Sequence, residues 1–132
     1  MVVLDASIIL KWLLTEEGSE RALLFRERHI KGEERIAVPS LLFYEIANVL
    51  RYSEGFSDEA VLTLFETIKD IELSAIHPPF SDFEETIIYA RSKQISVYDA
   101  AYVVLARNLE CDLITADRRL VKATGESFVK EL

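Results

Sequence analysis

The sequence predicts an α/β fold in which helices cover both faces of a central parallel sheet. Short apolar runs rich in β-branched residues, such as VVL at residues 2–4, have the composition of buried strands. They alternate along the chain with longer segments of helical periodicity, which is typical of strand–helix–strand units joined by right-handed crossovers. The chain has 132 residues, of which 50% are hydrophobic, so we expect one domain over residues 1–132 with its own core.

In the first half of the chain, glycine, proline and serine mark where the predicted elements begin and end. Gly32 and Gly55 each follow a segment of helix formers and end it. Pro39 and Ser40 open a helix with Ser40 as its N-cap, and Ser57 caps the next helix. The predicted elements are strand 2–4, helix 8–13, helix 17–30, strand 35–38, a helix from residue 40 to residue 50 or 52, and a helix that begins at residue 57.

The second half continues the alternation of strands and helices. Residues 71–76 alternate as a strand, and Pro78 with Pro79 separates this strand from the next helix. Ser96 starts a helix whose later residues are nearly all apolar, which places that helix in the core. The predicted elements are strand 71–76, helix 83–92, helix 96–108, strand 112–115, helix 118–123 and strand 128–130.

Charge and cysteine content restrict the function. The net charge is −8, which argues against a nucleic-acid binder because phosphate contacts need cations, and which suits a soluble or metal-binding protein. The single cysteine, Cys111, permits no intramolecular disulfide and fits a reducing compartment. The apolar N-terminal stretch carries Asp5 and Lys11 and has no basic leader, so we expect neither a membrane span nor a signal peptide, and a cytoplasmic location.

Four acidic residues lie in apolar surroundings, unlike the other acids of the chain. Asp5 directly follows strand 2–4, and Asp117 follows the predicted strand that ends in LIT. If both strands belong to one parallel sheet, both acids lie at its carboxyl edge, where open α/β sheets keep their ligand sites. Glu45 and Asp99 lie in apolar helices, within LLFYEIANVL and SVYDAAYVVLA.

Each of these acids also has a purely structural interpretation. Asp5 and Asp117 are good N-caps for the helices that follow them. Asp99 stands three residues after Ser96, which is the spacing of a capping box. An ion pair with an arginine would offset the cost of burying Glu45.

Other chemistries have less support. His29 and His77 have no partner at metal-ligand spacing, Cys111 has no histidine near it in sequence, and no strand-to-helix turn carries clustered glycines. A phosphatase of the haloacid-dehalogenase type would need a second aspartate two residues after Asp5, where this chain has Ser7.

The motifs VVLDAS, VPSLLFYEIANVL, SVYDAAYVVLA and LITADRRL, in this order and at this spacing, resemble the PIN domain family. Over nearly the whole chain the resemblance is specifically to VapC-type toxin ribonucleases of VapBC toxin–antitoxin systems. It implies an α/β/α sandwich around a central parallel sheet and an endoribonuclease that depends on Mg²⁺ or Mn²⁺. It also implies a homodimer whose partners are RNA and a VapB-like antitoxin.

The resemblance assigns roles to seven residues by position. The implied catalytic acids and metal ligands are Asp5, Glu45, Asp99 and Asp117, with Asp112 as an alternative for the fourth. The implied supporting residues are Ser7, Thr115 and Asn48. A few carboxylates suffice for Mg²⁺, since this hard cation keeps several waters. The alternative function is a non-catalytic interaction module of the same fold, and the phosphatase is a weaker one. The cations available to guide RNA are Lys11, Arg51, Arg91, Lys93, Arg118 and Arg119.

Overall fold

The computed structural model describes residues 1–132 and confirms the predicted α/β class. The strands are β1 (Val2–Leu4), β2 (Ile36–Pro39), β3 (Ser74–Ile76), β4 (Asp112–Thr115) and β5 (Val129–Glu131). The helices are α1 (Ala6–Leu13), α2 (Ser19–Ile30), α3 (Leu41–Arg51), α4 (Asp58–Lys69), α5 (Phe80–Lys93), α6 (Val97–Asn108) and α7 (Arg118–Thr124).

One five-stranded parallel sheet has the strand order β3-β2-β1-β4-β5. The first strand is therefore central: Val3 pairs with Ala37 of β2 on one side and with Leu113 of β4 on the other. The chain extends the sheet from β1 through β2 to β3, then crosses back to β4 and continues to β5. The direction of strand order thus reverses between β1 and β4, and such a reversal opens a crevice at the carboxyl ends of the two strands.

Helices cover both faces of the sheet. Right-handed crossovers place α1 to α4 on one face and α5 to α7 on the other. The apolar helix α6 packs against β1, β2 and β4, with α5 outside it, while α1 packs against β1 and β4. This arrangement is the predicted three-layer sandwich. No helix is both long enough and apolar enough to cross a membrane.

The core lies on the three inner strands. Val3, Val38 and Leu113 are completely buried, as expected for parallel strands covered on both faces. The outer strands β3 and β5 are less well covered. Each has only three residues, and Ala75 and Lys130 are exposed to solvent.

Helix capping follows the sequence at some serines and not at others. Ser57 and Ser96 cap α4 and α6 through their hydroxyls, which accept from Ala60 N and Asp99 N at 3.2 and 3.0 Å. Ser40 stands at the N-cap position of α3, as predicted, but it does not cap the helix through its side chain. Ser40 already has helical backbone angles, and its hydroxyl makes no capping bond.

Two element boundaries differ from the prediction by three residues, and several others by one or two. The strand predicted over residues 71–76 begins only at Ser74, because Ile71 N donates to Ile68 O in a turn and Glu72 has a φ of 55°. Helix α5 begins earlier than predicted, at Phe80, because the extended Pro79 stands at its N-cap.

We expect any cavity among the three inner strands to lower the stability of the protein strongly. Leu113→Ala should lower the free energy of unfolding by about 2–5 kcal/mol, since Leu113 is fully buried. Urea unfolding measures this loss. Ile30→Ala is the control, because Ile30 is 64% exposed and should change stability by roughly 0.5 kcal/mol or less. Equal losses in the two variants would contradict the described core.

Candidate active site

Asp5 lies where β1 ends, in the crevice between β1 and β4. It is the N-cap of α1: Oδ1 accepts from Ile8 N at 3.3 Å and from the Ser7 hydroxyl at 2.5 Å. The capping interpretation is therefore confirmed. Capping does not explain why the carboxylate is only 8% exposed and has no basic partner.

Hydroxyl groups surround this buried carboxylate. Burial raises the pKa of Asp5, whereas hydrogen bonds from the side chains of Ser7 and Thr115 act in the opposite direction. Ser7 Oγ also accepts from Ala116 N at 2.9 Å, and Thr115 Oγ1 accepts from Asp117 N at the same distance. The two predicted supporting hydroxyls thus lie beside Asp5 and join the end of β1 to the end of β4.

Glu45 on α3 is half-buried and accepts a hydrogen bond from the hydroxyl of Tyr102 at Oε2. The alternative that Glu45 pairs with an arginine is wrong, because no basic side chain forms an ion pair with it. Burial raises the pKa of Glu45, the Tyr102 hydroxyl opposes this change, and the charges of Asp5 and Asp99 raise the pKa further.

Asp99 lies in the first turn of α6. Its backbone N–H donates to Ser96 Oγ, but its carboxylate makes no hydrogen bond or ion pair within the chain, so only half of the predicted capping box forms. Because its charge acts on Glu45, as that of Asp5 does, the three acids form one electrostatic group. We refer to Asp5, Glu45 and Asp99 as the acid cluster.

Asp117 is engaged elsewhere. It is the N-cap of α7, where Oδ1 accepts from Arg119 N at 2.8 Å and lies 3.5 Å from Arg119 Nε. Its charge is not among those that raise the pKa of Glu45. The alternative fourth acid, Asp112, begins β4 at the opposite edge of the sheet and pairs with Lys130 at 2.6 Å. Asn48 is exposed on α3, one turn beyond Glu45.

The donor set of the acid cluster fits a hydrated hard cation rather than a closed metal cage. No three His, Cys, Asp or Glu side chains stand together in a group that could hold a metal ion. Mg²⁺ is commonly bound through one or two carboxylates, with water and substrate phosphate completing its ligands. Carboxylate oxygens without a basic partner meet that requirement, because a bound cation would relieve the repulsion between them.

Tyr102 is the site residue that the sequence pattern did not single out. It is 2% exposed, and burial together with the neighbouring Glu45 raises its pKa, so the hydroxyl stays protonated and donates. The sequence feature that could have identified Tyr102 is its position three residues after Asp99, because this spacing places both side chains on one side of α6.

Two cavities flank the carboxyl edge of the sheet. The larger, about 670 Å³, lies beside Ala116 and includes the cations Lys11, Arg21 and Arg118 together with acidic residues in its lining. The smaller, about 180 Å³, lies beside the ends of β2 and β3 and is mainly apolar, with Tyr98 in its wall.

Comparison with known proteins gives consistent matches. The model of the PIN domain family matches residues 2–126. Ribonuclease VapC3 of Pyrobaculum aerophilum is 32% identical over 125 residues, which cover 92% of each chain. Ribonuclease VapC9 of Mycobacterium tuberculosis is 35% identical over 132 residues, covering 96% of this chain and 93% of the relative.

A solved structure shares the fold at low sequence identity. The structure of VapBC2 from Rickettsia felis bound to a DNA fragment from their promoter superposes with a TM-score of 0.72 at 14% identity. The match covers 100% of this chain and 99% of that chain.

Because the carboxyl group of Asp5 is buried, we expect the metal-free protein to lose stability as the pH rises. Because the folded-state pKa of Asp5 lies above the ordinary value of about 4, the folded state holds the proton more tightly than the unfolded state. Stability is then greatest below the ordinary pKa and falls as the pH rises through the interval up to the raised pKa. Asp5→Asn keeps an oxygen for Ser7 and Ile8, and should flatten this decline.

Thermal unfolding in EDTA between pH 4 and pH 8 measures the effect, in steps of about one pH unit. Asp112→Asn is the control, since Asp112 lies at the opposite edge of the sheet in an exposed pair with Lys130. A pH dependence of Asp5→Asn as steep as that of the wild type would rule out Asp5 as its source.

Proposed function

The chain belongs to the PIN domain family, and from this premise we propose that it is an endoribonuclease dependent on Mg²⁺ or Mn²⁺ and the toxin of a VapBC-type pair in the cytoplasm. The observation that carries the proposal is the acid cluster. The charges of Asp5 and Asp99 both act on Glu45, and none of the three acids has a basic partner. Such an arrangement costs stability unless a cation completes it.

We assign the binding of the cation to Asp5, Glu45 and Asp99. When bound, a divalent cation activates water and stabilises negative charge on a phosphodiester. Ser7 and Thr115 orient the Asp5 carboxylate, and Tyr102 orients that of Glu45. Because burial favours the protonated forms of Asp5 and Glu45, both carboxyls would release any proton they hold when the cation binds.

Asp117 receives a different role from the one that the resemblance implied. Its carboxylate caps α7 and contacts Arg119, so it would have to leave this cap to reach a cation. We propose that Asp117 fixes the start of α7 at the rim of the site. Asn48 is available on the exposed side of α3 for contact with the substrate.

The net charge of −8 is compatible with an RNA substrate if basic side chains lie along the surface where the RNA binds. Lys11, Arg21 and Arg118 line the larger cavity next to Ala116, whose N–H bonds Ser7 in the site. Lys11 and Arg118 are paired there with Glu16 and Glu131 at 3.2 and 2.6 Å, whereas Arg21 forms no ion pair. Lys93 donates to Thr124 O at 2.5 Å. We propose that the RNA backbone leaves the acid cluster through the larger cavity, where bound metal and these cations offset the acidic lining.

A non-catalytic interaction module is the second candidate. It is favoured by one observation, namely that no three acidic side chains already form a group that could hold a metal ion. The two functions differ in whether the protein cleaves RNA and whether a divalent cation stabilises the fold.

Asp99→Asn separates these functions. We expect it to reduce RNA cleavage by roughly 100-fold or more, because the loss of a supporting residue around a metal site already costs 10–100-fold. Wild type should gain about 2.7 kcal/mol of stability at ~100 times the dissociation constant of Mn²⁺, and the variant should lose most of this gain. Digestion of a panel of structured RNAs and thermal unfolding, each in EDTA and in Mn²⁺, measure the two effects.

Two further aspartates serve as controls for this experiment. Asp112→Asn should cleave RNA and respond to Mn²⁺ as wild type does, since Asp112 pairs with Lys130 away from the site. Asp117→Asn should keep most of the Mn²⁺ response, because asparagine also caps a helix. If Mn²⁺ stabilises Asp99→Asn as much as wild type, Asp99 is not a ligand and the nuclease assignment loses its main support.

We also propose a homodimer and a VapB-like antitoxin as partners. A structural neighbour is named VapBC2, and this chain exposes large apolar side chains on two helical regions. Those around α3 and α4 include Tyr44, Tyr52 and Leu62, and those on α5 include Phe80 and Ile88, which are 79% and 67% exposed. Exposed apolar surface of this kind is typical of interaction sites.

If the protein is a homodimer, light scattering at about micromolar concentration should give a mass about twice that of the 15.1 kDa chain. Ile88→Lys tests the face on α5, since a charge there would prevent burial against a second copy and should shift the mass toward one chain. A wild-type protein that scatters as a single chain under these conditions would contradict the dimer without affecting the nuclease assignment.

A further inference from the structure

The hydroxyl of Tyr102 is the one group that holds Glu45 in the acid cluster. Tyr102 lies on α6 and is 2% exposed, and it donates to Oε2 of Glu45 on α3. This is the single hydrogen bond that the Glu45 carboxylate makes within the chain, and no ion pair supplements it. The other oxygen, Oε1, makes no such bond and is available to a ligand.

Glu45 would be expected to leave this position if the hydroxyl were absent. The charges of Asp5 and Asp99 both act unfavourably on its ionised form. The side chain is long and only half-buried, so rotation toward water is open to it. A carboxylate that is repelled from two sides and can reach solvent needs a specific contact to stay in place.

We propose that Tyr102 is a positioning residue, whose hydroxyl keeps Glu45 in the acid cluster so that its carboxylate is already in place when a divalent cation binds. The proposal rests on the proposed function, since it concerns the cation of that same site. Tyr102 acts through Glu45 and is assigned no contact with the RNA or with the cation. A neutral donor suits this role, because it fixes the carboxylate and leaves its negative charge available to the cation.

The chain contains a matched control for this proposal. Tyr89 on α5 is also buried, at 7% exposed, and its hydroxyl donates to Glu126 Oε1 at 3.2 Å. This second tyrosine–glutamate pair lies beside Lys93, outside the acid cluster. Replacing either tyrosine by phenylalanine removes the same hydroxyl and keeps the buried ring, so packing losses should be similar in both.

The experiment compares Mn²⁺ binding in wild type, Tyr102→Phe, Tyr89→Phe, Glu45→Gln and the double variant Y102F/E45Q. We expect Tyr102→Phe to weaken Mn²⁺ binding by about 10–100-fold in calorimetry, and Tyr89→Phe to bind as wild type does. Glu45→Gln should also weaken binding. In its background, Tyr102→Phe should have little further effect, because there is then no carboxylate for the hydroxyl to hold.

Kinetics provide a second readout on the same proteins. With RNA as substrate at fixed Mn²⁺, Tyr102→Phe should lower kcat and leave KM for RNA nearly unchanged, and higher Mn²⁺ should restore part of the loss. Circular dichroism and thermal unfolding in EDTA should show a folded protein, since the ring remains and water can reach the half-buried Glu45.

The outcomes distinguish this proposal from the proposed function. If wild type binds Mn²⁺ and cleaves RNA while Tyr102→Phe does both equally well, the positioning role is overturned and the nuclease assignment stands. If Tyr102→Phe weakens binding equally in the wild-type and Glu45→Gln backgrounds, or if Tyr89→Phe weakens it as much, the effect is general packing and the positioning role is again overturned. If wild type neither binds Mn²⁺ nor cleaves RNA, both proposals fail together.

Discussion

The reversal of strand order between β1 and β4 determines where Asp5 and its two hydroxyl partners, Ser7 and Thr115, lie. At this switch point α1 and α7 leave the two neighbouring strands toward opposite faces of the sheet, so that no helix covers the strand ends between them. The gap is narrow enough for the hydroxyl of Ser7 to accept from Ala116 N across it. Asp5 sits in this gap because it is the first residue after the central strand, and its burial follows from that position.

A second feature of the candidate site is that its carboxylates accept hydrogen bonds from neutral groups. Ser7 and Thr115 serve Asp5, and Tyr102 serves Glu45, all through hydroxyl groups. Arginine or lysine in these positions would have stabilised the carboxylates more strongly and cancelled their charge. Elsewhere the chain does use that solution, as Arg118 with Glu131 and Lys130 with Asp112 show. The difference between the two kinds of pairing separates the candidate site from the ordinary charged surface.

Local patterns in the sequence predicted most elements and singled out the three acids of the acid cluster, but not the contacts between distant elements. Strand 112–115 was predicted without error because three consecutive residues, 113–115, are all buried. Glu45 was expected to meet an arginine, and Tyr102 was not singled out, because their contact joins residues 57 positions apart on opposite layers. Asp117 follows a strand just as Asp5 does, and the pattern could not tell that its carboxylate turns to the backbone of α7. Such choices depend on tertiary geometry that spacing along the chain does not encode.

The short outer strands restrict how two copies of the chain can meet. Continuous pairing across a sheet edge requires an exposed strand with free backbone donors along its length. Here β3 has three residues and runs into His77, Pro78 and Pro79, while β5 exposes Lys130 and Glu131. Prolines and charges at an edge oppose pairing with a strand of another chain. The sheet therefore ends at five strands, and these edges disfavour pairing between two copies of the chain, because their short length offers few backbone donors.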